Sequence, residues 1–285
     1  MSSPNAPPTV MRHAVRSALA PMNVEPRISS PLTSQLLAGE VVIVIETRGD
    51  WLHVRSDDGY EGWTHSGYLT PSMGSESSWP ISLGCVVRDV AGVTCALPLG
   101  ARVGPGAEVL SGETLAADER AARFPLAHAA IAASASTLYS GASYLWGGVS
   151  PWGCDCSGFV QRIYALHGLP LPRDAWQQAT TGIGVDGDAG AEHGEGDLLF
   201  FTDREDRRVT HVGIALGAGR MAHSSLTRGG VAVEQMNSDD AYVARLRVGF
   251  VDARRVTTNI EGRSRRNAPP ETGGWRPIAE ASRQP

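Results

Sequence analysis

The sequence predicts an α+β protein, and three features carry that expectation. The amino-terminal part alternates short apolar stretches with Gly/Asp turns, as strands do. An amphipathic helical repeat then opens on Cys156. Further on, two alternating stretches flank Gly217 and read as a β-hairpin.

Taken in order, Glu40-Val-Val-Ile-Val-Ile-Glu46, Trp51-Leu-His-Val-Arg55 and Tyr60-Glu-Gly-Trp-Thr64 are short strands. Arg48-Gly-Asp50 and Asp57-Asp-Gly59 separate them as turns. Strands this short at this spacing suggest a small barrel. Pro71-Ser-Met-Gly-Ser-Glu-Ser-Ser78 is a linker by composition. Trp79 to Pro125 is a second strand-rich piece, expected to be a degenerate second barrel. Leu126 to Tyr139 reads as an alanine-rich helix that opens a mixed unit. The expected boundaries are 1–71 for the first barrel with its extension, 72–125 for linker and second barrel, and 126–254 for the mixed unit. Residues 255–285, rich in Arg, Pro and Gly with no apolar period, read as a disordered tail.

The helix at 156 is defined at both ends. Asp155 can cap it, while Phe159, Val160, Ile163 and Leu166 recur at roughly helical spacing. Gly168 and the following Leu-Pro-Leu-Pro stop it. A thiol in the first turn meets unpaired N–H groups and the positive end of the helix dipole, and both favour the nucleophilic thiolate. An arbitrary cysteine is more simply a buried core residue. Two downstream histidines shift that balance.

Val209-Thr-His-Val-Gly-Ile-Ala-Leu216 alternates as a strand, with Val212, Ile214 and Leu216 on one face and His211 on the other. Arg220-Met-Ala-His223 can return as its partner. In a hairpin centred on Gly217, His211 and His223 face each other on one side of the sheet, and a one-residue slip would separate them. The geometry suggests a relay in which Cys156 attacks, His211 shuttles the proton and His223 fixes the His211 ring and tautomer. Zinc is the competing reading of Cys154, Cys156, His211 and His223, but Cys-x-Cys is tighter than the C-x₂₋₄-C of structural knuckles.

Composition bounds the remaining possibilities. The 285 residues exceed the usual single-domain size, and 42% hydrophobic with 19% charged residues is ordinary for a soluble protein. A net charge of −5 argues against nucleic-acid binding. Met1 to Ala20 lacks the apolar core of a signal peptide, and no stretch is long enough to span a membrane, so a cytoplasmic location is expected. Four cysteines give no disulfide framework, and Cys85 and Cys95 are expected to be reduced core residues.

Tyr144-Leu-Trp-Gly-Gly, Asp155-Cys-Ser-Gly-Phe-Val, Leu171-Pro-Arg-Asp174 and the two histidines together resemble the NlpC-type cell-wall cysteine peptidases. The resemblance covers about Leu126 to Asp252. It implies a papain-like domain with Cys156 as nucleophile, His211 as general base and His223 as third member of the triad. Tyr144, Asp155 and Ser157 would line the substrate pocket, and no cofactor or metal is needed. Where relatives often carry a serine just after the Arg-Asp pair, this chain has Ala175 and Trp176.

The upstream strands resemble bacterial SH3-like domains, notably in Gly49-Asp-Trp-Leu-His-Val and Gly59-Tyr-Glu-Gly-Trp. The whole resembles a papain-like peptidase preceded by two small SH3-like β-barrels. The resemblance implies hydrolysis of the γ-D-glutamyl–diamino acid bond in free peptidoglycan peptides that begin with L-Ala. Tyr60 and Glu25 match positions where such a barrel helps hold the free amine. Asp155 is expected to pair with that ammonium, since its charge otherwise opposes the thiolate. A wall-binding adaptor, or an amidase or acyltransferase with the same triad, are the alternatives.

Overall fold

The structure, a computed structural model, describes residues 11–257. The first ten residues and most of the predicted tail lie outside the described residues.

Strands β1 (Arg12–Val15), β2 (Leu19–Asn23), β3 (Leu32–Leu37), β4 (Val41–Arg48), β5 (Trp51–Arg55), β6 (Glu61–His65) and β7 (Leu69–Pro71) form one antiparallel sheet. Its order is β3-β2-β6-β5-β4-β1-β7. Val15, Ala20, Met22, Leu36, Val42, Val54 and Leu69 fill its core. The two anticipated turns stand, with Gly49 and Gly59 supplying the positive φ that side-chain-bearing residues avoid.

The second strand-rich piece is a three-stranded sheet, β10-β8-β9, of β8 (Ile81–Arg88), β9 (Thr94–Leu97) and β10 (Glu108–Leu115). Its core is shared, since Cys85, Val87 and Leu97 pack with Leu37 and Ala38 of the first sheet and with Val149. All four cysteines are free, and Cys95 is exposed rather than in the core.

The mixed unit begins with α1 (Arg120–Arg123) and α2 (His128–Thr137), then the short ladder β11 (Val149–Ser150) and β12 (Gly153–Cys154). Next come α3 (Cys156–Leu166), α4 (Ala175–Gln178), β13 (Ile183–Gly184), β14 (Leu198–Phe201), β15 (His211–Gly217), β16 (Arg220–Ser225), β17 (Gly230–Gln235), α5 (Ala241–Val248) and β18 (Phe250–Arg255). The sheet order is β13-β18-β14-β15-β16-β17. Strand alternation divides its two faces. Leu198, Phe200, Val212, Ile214 and Leu216 pack against α2 and α3, whereas Leu199, Phe201, Ala215 and Met221 meet Val243 and Leu246 of α5. Phe159, Val160 and Ile163 of α3 are fully buried, each worth about 1.5–3 kcal/mol. This pins the helix, and so its first residue, against β15.

The last strand takes in residues that read as tail in the sequence. Arg254 and Arg255 belong to β18, where Arg255 clamps the fully buried Asp197 with contacts of 2.7 and 2.8 Å. The role of Arg255 was hidden in the sequence because its partner is 58 residues away.

The first sheet docks directly on the mixed unit. Arg162 of α3 pairs with Glu40, Gln161 donates to Asp58 at 2.7 Å, and the Val149 amide donates to Gln35 at 3.3 Å. Leu32 sits against Gly147, whose positive φ and close approach leave no room for a side chain.

Candidate active site

Cys156 is the first residue of α3, and Asp155 caps the helix by accepting from the Gly158 amide at 2.7 Å. The thiol receives hydrogen bonds from the Val212 and Ser157 amides. Val212 follows His211 in β15, so the sulfur lies at the start of the strand that carries the first histidine. Burial pushes the Cys156 thiol up to about 12, and the Asp155 charge adds to the rise, outweighing those amides and Arg173. The helix start does not make this a resting thiolate. Cys154, also buried and raised to about 12, lies beside the Ser224 hydroxyl. Among the described residues no three His, Cys, Asp or Glu side chains gather as a metal-ligand set.

His211 and His223 share one face of the sheet, and His211 Nε2 lies 2.7 Å from His223 Nδ1. They are not directly opposite. The turn falls at Ala218–Gly219, both at positive φ, and a register shift follows Ala215. Ile214 pairs with Ala222, so the histidines are diagonal neighbours, still within side-chain reach. With Nε2 of His211 engaged, Nδ1 is the nitrogen left to serve the thiol. Burial, and then the neighbouring His223, hold the His211 pKa well below its ordinary 6.5, so its resting ring is neutral.

The other expected residues divide into two groups. Tyr144 is half-buried with its hydroxyl close to Cys156 and Asp155, and burial raises its pKa. Asp155 and Ser157, by contrast, are consumed within the protein. One Asp155 oxygen accepts from Gly158, Arg173 and Ser157, and the other from Gly147 and Arg173. The Ser157 hydroxyl accepts from Arg173 at 2.9 Å, and the Arg173 Nε reaches Ser34 of β3 at 3.0 Å. A substrate ammonium pairing with Asp155 would share oxygens that are each already bonded within the protein.

Tyr60 reaches the site from the first sheet, its hydroxyl 3.4 Å from Asp174 Oδ1. Burial raises the Tyr60 pKa. Glu25 does not join it: its carboxylate pairs with Arg27 at 2.7 Å on an exposed loop. Asp174 was quoted in the sequence motif without a role. Burial raises its pKa, against the pull of Arg173, Trp176 and Tyr60. Glu234 was missed altogether. It lies on β17 diagonal to His223, with Oε1 3.4 Å from His223 Nε2. The hint in the sequence was an acidic residue near the end of a mostly apolar strand, which is too common to single out.

A helix-start cysteine packed against a histidine-bearing antiparallel sheet, with a second histidine behind the first, is the arrangement the chemistry of a papain-like cysteine peptidase requires. Comparison with known proteins makes this specific. Residues 141–248 match the NlpC/P60 family and residues 24–70 the bacterial SH3 domain. This chain carries an NlpC/P60 domain behind a bacterial SH3 domain and is a cysteine peptidase. A gamma-D-glutamyl-L-lysine dipeptidyl-peptidase of Bacillus cereus is 28% identical over 250 residues, covering 74% of this chain and 72% of that one. The protein of the same name from Bacillus subtilis is 45% identical over 91 residues, 32% of this chain and 30% of its own. The crystal structure of an NlpC/P60 family protein from Bacillus cereus superposes with a TM-score of 0.69 at 22% identity, covering 86% of this chain and 99% of that one. Among the described residues no helix is long and apolar enough to cross a membrane.

Proposed function

We propose that the chain hydrolyses the γ-D-glutamyl–diamino acid bond of free peptidoglycan peptides that begin with L-Ala, in turnover or recycling of those peptides. Cys156, His211 and His223 are its catalytic residues. The Bacillus relatives named gamma-D-glutamyl-L-lysine dipeptidyl-peptidase support the bond type. The observation that carries the free amino terminus is Tyr60, which reaches from the SH3 sheet to Asp174 at the head of α4, next to the Arg173 that grips Asp155. An SH3 sheet that served only as a wall anchor would have no reason to place a side chain there.

Both resting partners are neutral, so the proton moves as the bond forms. His211 Nδ1 takes the thiol proton while the sulfur attacks the γ-carbonyl, and first-turn amides of α3 hold the oxyanion. The imidazolium then protonates the leaving amine, which departs as the S-acyl enzyme forms. Water, losing a proton to the same Nδ1, attacks that thioester and frees the γ-carboxylate with the thiol restored. Tyr144 lines the pocket beside the sulfur. Asp155 and Ser157 act indirectly, holding the helix start and Arg173 in place. Asp174, with Tyr60, receives the substrate ammonium.

The test compares L-Ala-γ-D-Glu-diaminopimelate with its N-acetylated form. A hydrogen bond to a charged group is worth about 1.5–3 kcal/mol, so acetylation should lower kcat/KM about ten- to a hundredfold. Asp174→Asn should erase most of that ratio, while Asp155→Asn should lower both peptides alike. Equal cleavage of the two peptides by the unaltered enzyme would return the SH3 sheet to a wall-anchoring role.

A further inference from the structure

We propose that Glu234 is a positioning residue that sets the tautomers of both site histidines, so that His211 presents a bare Nδ1 to Cys156. The inference rests on the relay assigned above, but its evidence lies behind that relay.

Glu234 is 6% exposed, and among the described residues its carboxylate bonds to two side chains, both donors. Arg228 grips it at both oxygens, Nε to Oε1 at 2.6 Å and the terminal nitrogen to Oε2 at 3.0 Å. The same terminal nitrogen reaches Asp240, the cap of α5, at 2.8 Å. The remaining contact is His223 Nε2 at 3.4 Å from Oε1. The His223 contact, outweighing burial, and then Arg228 hold the Glu234 pKa down to about 2, so the group is ionised at any working pH.

An ionised carboxylate can only accept. His223 must therefore carry its proton on Nε2, and in the neutral ring Nδ1 is then bare. The 2.7 Å contact from that bare nitrogen to His211 Nε2 requires a proton on the latter. His211, neutral in turn, keeps no proton on Nδ1. With both rings neutral each step leaves one choice, and the result is a base with its lone pair free for the thiol. Were Glu234 neutral or absent, His223 could take the opposite tautomer. It would then donate from Nδ1, making His211 accept at Nε2 and carry its proton on Nδ1, where it cannot act as a base. The stacked Tyr242 ring, with centroids 5.9 Å from those of His223, holds the imidazole plane but offers it no acceptor; its hydroxyl is bonded to Ser225.

The experiment reads tautomers directly. Long-range ¹H–¹⁵N correlation on the full chain labelled at histidine, with rings assigned through His211→Asn and His223→Asn, should show both in the Nε2–H form near neutral pH. In Glu234→Gln a carboxamide donor faces His223, and the Nδ1–H form of His223 should become populated. Turnover should fall about ten- to a hundredfold with KM within about twofold, because a base in the wrong tautomer is lost to the chemical step and not to binding. In a His223→Asn background the same substitution should change turnover little, since the asparagine amide can rotate to suit. A ring of His223 in the Nδ1–H form in the unaltered protein would overturn the proposal. So would Glu234→Gln leaving both tautomers and turnover unchanged. The first measurement needs no variant at Glu234, so failure of that variant to fold leaves it decisive. It also needs no substrate, so a wrong substrate assignment would not disturb it.

Discussion

Two buried carboxylates pair with arginines at opposite ends of the row Cys156, His211 and His223, and the pairs differ in one respect. Asp155 and Arg173 lie on the helix side. The carboxylate is wholly saturated, and Arg173, 2% exposed, is further tied to Ser34 of the first sheet. Glu234 and Arg228 lie on the strand side. There the arginine keeps a 30% exposed side chain, and one carboxylate oxygen is shared with a histidine ring. The same two functional groups thus do opposite work. A saturated pair can only hold geometry, here the start of α3, Gly147 and the docked SH3 sheet. A pair with one open edge can impose a proton position on its neighbour. The saturated pair also carries a chemical penalty, since the Asp155 charge helps push the thiol up.

The comparison presumes that Cys156 is the group being served, and that is the largest effect to test. Cys156→Ala should leave no detectable hydrolysis with the melting temperature little changed. Cys154→Ala should retain most activity, at a stability cost of about 1 kcal/mol for a small buried truncation. Iodoacetamide labelling with peptide mapping checks the order of reactivity. Labelling of Cys154 ahead of Cys156 would place the nucleophile elsewhere.

The contrast itself is sharpened by deleting each arginine. Arg173→Met leaves Asp155 buried beside a saturated site with no counter-charge, and breaking such a pair costs about 3–5 kcal/mol. Arg228→Met removes a half-exposed partner and should cost at most about 1 kcal/mol in stability while slowing turnover. Urea unfolding and steady-state rates on the two variants separate the roles. Similar stability losses for both would mean the two pairs are equally structural.

What could be read from the sequence follows the range of the forces involved. The helix at Cys156 was legible because its cap, apolar spacing and terminating Gly168 lie within fourteen residues of one another. The shared face of His211 and His223 followed from the period of two. Their diagonal register did not, because the shift after Ala215 and the positive φ of Ala218 are marked by no residue type. Strands β1 and β2 escaped notice because they are short, and β2 contains Pro21, which argues against a strand. Arg173 and Glu234 were opaque for another reason. Arg173 meets Ser34 across 139 positions, and a charged residue announces its burial only through its partner. For the same reason the enclosure of Asp155 by Arg173 and Gly147 was not legible in the sequence.

The smallest effect expected is in how stability responds to acid, and it tests the ionisation on which the tautomer argument depends. Glu234 has a folded-state pKa of about 2 against the ordinary 4.5, so the folded protein gives up this proton more readily than the unfolded chain. Its stabilising contribution is therefore complete above about 4.5 and drains away as pH falls through about 2. His211 acts in an earlier window. Its depressed pKa means that below 6.5 the unfolded chain gains a proton the folded ring resists, so stability starts to fall there first. Glu234→Gln removes the lower window and leaves the upper one. Melting temperatures of the two proteins should run parallel from neutral pH to about 5, then converge as acid erodes only the unaltered protein's advantage. Parallel curves down to about pH 3 would mean that Glu234 is not the ionised partner of His223, and the chain of donors leading to His211 would lose its fixed end.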